Sequence, residues 1–141
     1  MGNVVVIHGA GPQDEAQGSG QLVAYLRTAL TPRHVIRAPS MPEPEQPVYD
    51  AWRRVLEREV AVAPEPVILV GHSLGGSVAL KYLSECGHRP PIRALFLVAA
   101  PYWGAPQWEG PEFTLQPGYA HALPPEIPIA LYHSRDDAMV P

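Results

Sequence analysis

The chain has 141 residues, a formal net charge of −4 and 10 basic residues that are scattered along it. This length suits one domain with its own core, and the lack of a basic stripe argues against nucleic acid or anionic membranes as partners. Cys86 is the only cysteine, which excludes an internal disulfide and a thiolate zinc cluster and favours a reducing, cytoplasmic compartment. The first residues contain neither a basic n-region nor a long apolar segment, so we expect no membrane anchor or export signal.

Short apolar runs alternate with helical patterns along the chain. The runs are continuous, as expected for strands that are buried on both faces of a parallel sheet. Four runs and a weaker one predict strands at Val4–Ile7, His34–Ile36, Val67–Val70, Leu95–Val98 and Ile129–Tyr132. Apolar residues at helical spacing follow Ser19, a candidate N-cap at Asp50, and Ser73. We therefore predict a single α/β domain over residues 1–141, with helices on both faces of a mostly parallel sheet.

The most specific motif is the segment Gly71–Gly76, GHSLGG, which follows the run Val67–Val70 directly. It matches G-x-S-x-G, in which a serine occupies a strained turn between a strand and a helix. Glycine is needed on both sides because a larger residue would collide with the neighbouring strand and helix. The context predicts that Ser73 is the nucleophile of a serine hydrolase, whereas a Gly-Ser loop that only starts a helix is the alternative.

A serine nucleophile needs donors for the oxyanion and an acid that orients its base. The backbone N–H of Leu74 is the expected first donor, because it follows the nucleophile at a helix N-terminus. The small residues after Val4–Ile7 make the Ala10 N–H the expected second donor, with Gly9 next. A glycine turn that only connects strand and helix is the alternative for this loop.

Asp136 and Asp137 follow the predicted strand Ile129–Tyr132, so their carboxylates should emerge at the same sheet edge as Ser73. Either could orient a histidine, and the order Ser then Asp differs from that of chymotrypsin and subtilisin. A metal site built on His133 and the two aspartates lacks further ligands nearby, so we expect no metal.

Proline is abundant, with 18 residues, and part of it lies in the long irregular segment 101–128. Long loops in compact domains are usually functional, so we interpret this segment as a lid over an acyl pocket. A structural cap over the strand ends is the alternative. The predicted substrate-pocket residues are His8, Gly9, Tyr102, Trp103 and Trp108.

These motifs together resemble the α/β-hydrolase superfamily, and more narrowly the small serine hydrolases of the retinoblastoma-binding protein nine type. The resemblance rests on the opening strand and its loop, on Ser40-Met41-Pro42 before a Trp-bearing helix, and on the GHSLGG turn at Ser73, called the elbow below. It also rests on the Ser134–Asp137 segment, which is followed by Val-Pro. It implies the α/β-hydrolase fold and carboxylesterase-like activity, without a cofactor, on a small ester or amide. The superfamily pattern Asp-x-x-Val-Pro selects Asp137 over Asp136 as the acid.

One departure from the resemblance concerns the general base. The family carries its catalytic histidine after the acid, whereas none of the six histidines here follows Asp137. We expect a further helix, strand and histidine beyond Pro141, and self-association through the open edge of Ile129–Tyr132 without them. His121 is a less favoured substitute base. Acyl transfer or perhydrolysis, and a non-catalytic binding module that keeps the elbow, are the alternative functions.

Overall fold

The computed structural model describes residues 2–86, 91–106, 108 and 110–140. In this part of the chain, strands and helices alternate as the apolar pattern predicts. In chain order the elements are β1 (Gly2–Ile7), α1 (Gly20–Leu30), β2 (His34–Arg37), α2 (Tyr49–Ala61), β3 (Val67–His72), α3 (Leu74–Glu85), β4 (Ile92–Val98), α4 (Tyr119–Ala122) and β5 (Ile129–Tyr132).

The five strands form one sheet in the order β2-β1-β3-β4-β5, and every neighbouring pair is parallel. The prediction of a parallel sheet is therefore confirmed, including the weaker strand at His34. β3 lies at the centre, paired with β1 on one side and with β4 on the other. The loops after β1, β3, β4 and β5 all leave the carboxyl edge of the sheet, where open α/β sheets bind ligands.

Apolar side chains from the two faces of the sheet form two separate cores. Val4, Val6 and Val70 pack with Val23 of α1 on one face. On the other face the strands pack against α2 and α3, with Trp52 and Leu56 fully buried in the larger cluster. Helices thus cover both faces, as the continuous apolar runs of β1 and β3 require.

Helix α2 begins earlier than the sequence predicts. Its N-cap is Val48, and Asp50 lies inside the first turn, so the prediction of an N-cap at Asp50 is wrong. The carboxylate of Asp50 pairs with Arg53 at 2.6 Å and with Arg54 at 2.8 Å, and does not bind a backbone amide. A carboxylate in the first turn still favours the helix through the helix dipole.

β5 forms one edge of the sheet and is more exposed than its apolar sequence suggests. Leu131 is 75% exposed and Tyr132 is 56% exposed. Among the described residues its pairing partner is β4, which leaves its outer edge open. Self-association through that edge stays a prediction. No helix in the described ranges combines the length and apolar character needed to cross a bilayer.

Candidate active site

Ser73 stands between the end of β3 and the first residue of α3. Its backbone has φ 51° and ψ −122°, a conformation that residues other than glycine rarely adopt. Its N–H donates a 2.9 Å hydrogen bond to the carbonyl oxygen of Val98, which fixes the turn to the end of β4. The strand-turn-helix setting predicted for the GHSLGG segment is therefore present, with the strain that such a turn stores at the serine.

The two glycines that flank Ser73 are required by contacts with backbone atoms. A Cβ on Gly71 would lie 2.4 Å from the Cα of Gly76, and a Cβ on Gly75 would lie 2.2 Å from the carbonyl oxygen of Ile7. Neither neighbour is a flexible side chain that could move aside. The close approach of α3 to β1 and of β3 to α3 therefore depends on glycine at both positions.

Two backbone N–H groups near Ser73 have no acceptor among the described residues. One belongs to Leu74, at the first position of α3, where helix geometry leaves amides unpaired. The other belongs to Ala10, which is exposed, whereas the Gly9 N–H donates to the Ser19 Oγ at 2.9 Å and the Gly11 N–H donates to the Pro44 carbonyl at 2.8 Å. The sequence named two amides as donors in the loop after β1, called the first loop below. The N–H of Ala10 is thus available as a donor to an oxyanion, and the N–H of Gly9 is not.

Gly9 itself lies directly against the serine. A Cβ on Gly9 would come within 3.2 Å of the Ser73 Cβ, a distance tighter than most real contacts. The first loop and the elbow are therefore adjacent, although they are more than 60 residues apart in sequence.

Asp137 and Asp136 differ in their surroundings after β5. The Asp137 Oδ1 accepts hydrogen bonds from the N–H groups of Met139 at 2.9 Å and Val140 at 2.8 Å. The bond from Val140, followed by that from Met139, lowers the pKa of the Asp137 carboxyl, although partial burial opposes them. Asp136 is exposed and is bound by the hydroxyl of Ser134. Asp137 is therefore the ordered carboxylate of the pair; Pro141 of the Val-Pro pattern lies outside the described residues.

The two histidines next to the candidate site are held away from the serine hydroxyl. The Nδ1 of His72 is 2.7 Å from the Ser19 Oγ. His8, the residue that follows β1, is buried beside Ala38, the residue that follows β2. Burial lowers the pKa of both imidazoles; the charge of His8 lowers that of His72 further, and Asp137 partly opposes it. Neither hydrogen-bonds to Ser73 in the described structure, so neither is placed as its base.

The aromatic residues of segment 101–128 surround an apolar cavity of about 140 Å³ beside the first turns of α3. Tyr102 and Trp103 line it together with Phe113, and the ring centroids of Trp103 and Phe113 are 4.9 Å apart. Gly76 and Ser77 of α3 form its wall nearest to the elbow. The cavity therefore begins one helical turn from Ser73.

Not all predicted pocket residues meet there. Trp108 packs against Trp103 at 5.4 Å between ring centroids but lines a separate depression with Pro106 and Pro111. His8 lines another depression, with Gln13 and Arg27. Gly9 contacts the serine and does not line the cavity. The sequence could not separate these positions, because all follow carboxyl ends of strands and only packing decides where each side chain lies. In the described ranges no group of three or more His, Cys, Asp or Glu residues could hold a metal ion.

Two residues around the site were not singled out from the sequence for their contacts. Ser19 occupies the N-cap position of α1, but its hydroxyl makes no capping hydrogen bond to that helix. The hydroxyl instead bonds to Gly9 of the first loop and to His72. Lys81 is 5% exposed and donates a 2.7 Å hydrogen bond to the carbonyl oxygen of Thr114. A lysine on the apolar face of the predicted elbow helix is the one signal that could have indicated the second contact.

A family model for the alpha/beta hydrolase family matches residues 4–141, and the chain belongs to that family. The fold and the elbow described above are those expected for this class. The match supports the superfamily resemblance; the narrower resemblance to the retinoblastoma-binding protein nine type stays a prediction. No curated protein matches the chain significantly.

Solved structures with the same fold include several bacterial proteins. The ydeN gene product of Bacillus subtilis is 24% identical with a TM-score of 0.78, over 100% of this chain and 75% of that one. A candidate carboxylesterase from Lactobacillus plantarum is 16% identical with a TM-score of 0.68, over 99% and 65% of the two chains. A lipase/esterase from Lactobacillus plantarum is 14% identical with a TM-score of 0.65, over 99% and 67%. At these identities the similarity shows the fold, and this chain spans 65% to 75% of the length of these three structures.

Proposed function

We propose that the protein is a serine esterase that cleaves small esters or amides through an acyl-enzyme on Ser73. The observation that carries the proposal is the backbone of Ser73, at φ 51° and ψ −122°, in a turn that two glycines make sterically possible. Strain of this kind persists only where the surrounding structure enforces it. In a turn of this type, the serine hydroxyl is presented at the carboxyl edge of the sheet, before the first residue of the helix. Membership of the alpha/beta hydrolase family supports the same conclusion.

In the proposed reaction the Ser73 Oγ attacks the substrate carbonyl carbon while its proton passes to a general base. The carbonyl oxygen becomes an oxyanion, which accepts hydrogen bonds from the free N–H groups of Leu74 and Ala10. The base then gives the proton to the departing alcohol or amine, and water releases the acid in a second attack of the same kind. Oriented backbone donors of this type are each worth about 10²–10³ in kcat.

Asp137 is the proposed orienting acid. Two backbone amides fix its carboxylate, and its depressed pKa keeps it ionised at neutral pH, as an acid that orients an imidazole must be. We do not propose His72, His8 or His133 as the general base, because each is committed to other contacts in the described structure: His72 to Ser19, His8 to Ala38, and His133 to the carbonyl oxygen of Val140. A cytoplasmic location is part of the same proposal.

The proposed acyl pocket is the cavity lined by Tyr102 and Trp103. A volume of about 140 Å³ accommodates an acyl chain of a few carbons, and its lining is mostly apolar. The side chain of Trp103 packs against both Phe113 and Trp108, so the wall that it forms is backed by other aromatic rings. We therefore propose short-chain acyl groups as the preferred substrates.

The test is hydrolysis of p-nitrophenyl acetate by protein from the complete reading frame, compared between wild type, Ser73→Ala and Ser84→Ala. Ser84 lies on the same helix and its hydroxyl binds the carbonyl of Lys81, so it is a matched control. We expect Ser73→Ala to lose several powers of ten in kcat and Ser84→Ala to retain it. Equal turnover by Ser73→Ala would favour the binding module. Release of p-nitrophenol only in the presence of an added acceptor alcohol or of peroxide, with the acyl group recovered on the acceptor or as the peracid, would favour transfer or perhydrolysis.

A further inference from the structure

The hydroxyl of Ser19 is a buried polar group that the proposed reaction does not use. Ser19 is 1% exposed, and although it precedes α1 its side chain makes no capping hydrogen bond to that helix. A buried hydroxyl is costly unless it is hydrogen-bonded, so its partners show what it serves. Both partners adjoin Ser73: a Cβ on Gly9 would lie 3.2 Å from the Ser73 Cβ, and His72 precedes Ser73 in the chain.

The Ser19 Oγ takes part in two hydrogen bonds. The Gly9 N–H donates to the Ser19 Oγ at 2.9 Å, and the His72 Nδ1 lies 2.7 Å from the same oxygen. A neutral imidazole that carries its hydrogen on Nε2 accepts at Nδ1, and in that tautomer the Ser19 hydroxyl completes a chain of hydrogen bonds from Gly9 through Ser19 to His72. Burial lowers the pKa of His72, which keeps the imidazole neutral and able to accept at physiological pH.

This chain of bonds fixes the loop on both sides of Ala10. Gly9 is held by Ser19 and contacts Ser73, while Gly11 is held by the carbonyl of Pro44. The N–H of Ala10, between these two anchored residues, has no acceptor among the described residues. His72 precedes Ser73, so the same chain ties the loop to the nucleophile itself.

We infer that Ser19 and His72 are positioning residues, which together hold the Ala10 amide against the oxyanion that forms on Ser73. The inference rests on the proposed function, since it needs an oxyanion at this serine. Neither side chain touches substrate; each acts through Gly9. Their effect should therefore fall on the transition state and not on substrate binding.

The test compares Ser19→Ala, His72→Leu, His72→Asn and the double variant Ser19→Ala/His72→Leu in protein from the complete reading frame. Asn can place an oxygen near the position of Nδ1, so it keeps an acceptor for the serine hydroxyl. We expect a loss of about 10–100-fold in kcat for Ser19→Ala and His72→Leu with p-nitrophenyl acetate, part of the value of one oxyanion donor, at a nearly constant KM. His72→Asn should recover most of that loss.

Two further readouts separate positioning from a general structural role. The affinity for phenylboronic acid, which forms a tetrahedral adduct on serine, should fall in proportion to kcat. The double variant should lose no more than the worse single variant, because both act through one chain of bonds. Circular dichroism and thermal unfolding identify variants that fail to fold. If Ser19→Ala fails to fold, the comparison of His72→Leu with His72→Asn tests the positioning role instead.

The outcomes distinguish the two proposals when Ser73→Ala is measured alongside. Wild-type kcat in folded Ser19→Ala and His72→Leu, with activity lost in Ser73→Ala, overturns the positioning role alone. Losses that multiply in the double variant, or that appear in KM, also overturn it. Full activity in Ser73→Ala overturns the proposed function and the positioning role together.

Discussion

The ammonium of Lys81 donates a 2.7 Å hydrogen bond to the carbonyl oxygen of Thr114, which joins helix α3 to segment 101–128. Lys81 also pairs with Glu85 at 3.0 Å and lies 5.1 Å from the centre of the Tyr49 ring. The helix that begins at the candidate nucleophile is thereby attached to the segment that carries the aromatic cavity. Segment 101–128 is therefore docked on the core by a buried, satisfied cation.

The first prediction concerns this attachment. Lys81→Met keeps the length of the side chain but removes the donor to Thr114, so we expect the free energy of unfolding to fall by about 1.5–3 kcal/mol. Arg54→Met is the control, since Arg54 is 73% exposed in its pair with Asp50 and should lose less than about 1 kcal/mol. Urea titrations of both variants measure the difference. Equal values for the two would show that Lys81 does not anchor the segment.

The second prediction concerns the elbow glycines. In Gly75→Ala the new Cβ meets the Ile7 carbonyl oxygen at 2.2 Å, so α3 and β1 must separate, at a cost of about 3 kcal/mol or more. Gly118→Ala is the control: its φ of 77° is unfavourable for alanine, at about 1–2 kcal/mol, but no atom lies within 4 Å of the new Cβ. Denaturant unfolding compares the two. A Gly75→Ala variant as stable as wild type would contradict the packing described for the elbow.

The third prediction concerns acyl-chain length. Trp103→Ala removes the packed wall of the 140 Å³ cavity, so the ratio of kcat/KM for p-nitrophenyl octanoate over acetate should rise at least about tenfold, as expected when a pocket gains apolar contacts. Tyr25→Ala is a control, because Tyr25 is a 67% exposed aromatic residue on α1. An unchanged chain-length profile in Trp103→Ala would return the aromatic cluster to a purely structural role.

The fourth prediction concerns pH. Burial lowers the pKa of His72 and of His8 in the folded protein, so the unfolded chain takes up protons first as the pH falls. The free energy of unfolding should therefore decrease as the pH falls below the unfolded value of about 6.5, and it should recover above it. His72→Asn and His8→Asn should each show a smaller decrease between pH 7.5 and 5.5 in urea titrations. A pH dependence identical to that of wild type in both would contradict the burial of these imidazoles.

The parts of the fold that follow from local sequence were predictable. Continuous apolar runs indicated the strands, as expected for a parallel sheet whose inner strands β1 and β3 are buried on both faces. The glycines of the elbow indicated a tight turn at Ser73. The start of α2 was not predictable from a cap rule, because Asp50 binds two arginines instead of a backbone amide. Local pairing there overrides the usual preference for aspartate at the N-cap.

The candidate site was predictable where it depends on a motif and not where it depends on packing. Ala10 was named from the sequence as the second donor, ahead of Gly9, but the hydrogen bonds that occupy the neighbouring amides of Gly9 and Gly11 are recorded by no sequence pattern. Ser19 lies 53 residues from His72, so their contact exists only once β1 and β3 are paired. Trp103 and Trp108 are equivalent in sequence terms, and only the fold of the segment puts the first in the cavity wall and the second outside it.

The proposed function depends on the reactivity of the Ser73 hydroxyl as a nucleophile, which covalent labelling measures. Protein from the complete reading frame is treated with a fluorophosphonate probe, digested, and analysed by mass spectrometry. We expect one modified residue, Ser73, with labelling lost in Ser73→Ala and kept in Ser84→Ala. Absence of labelling in the folded wild-type protein, or modification at another serine that persists in Ser73→Ala, would contradict it.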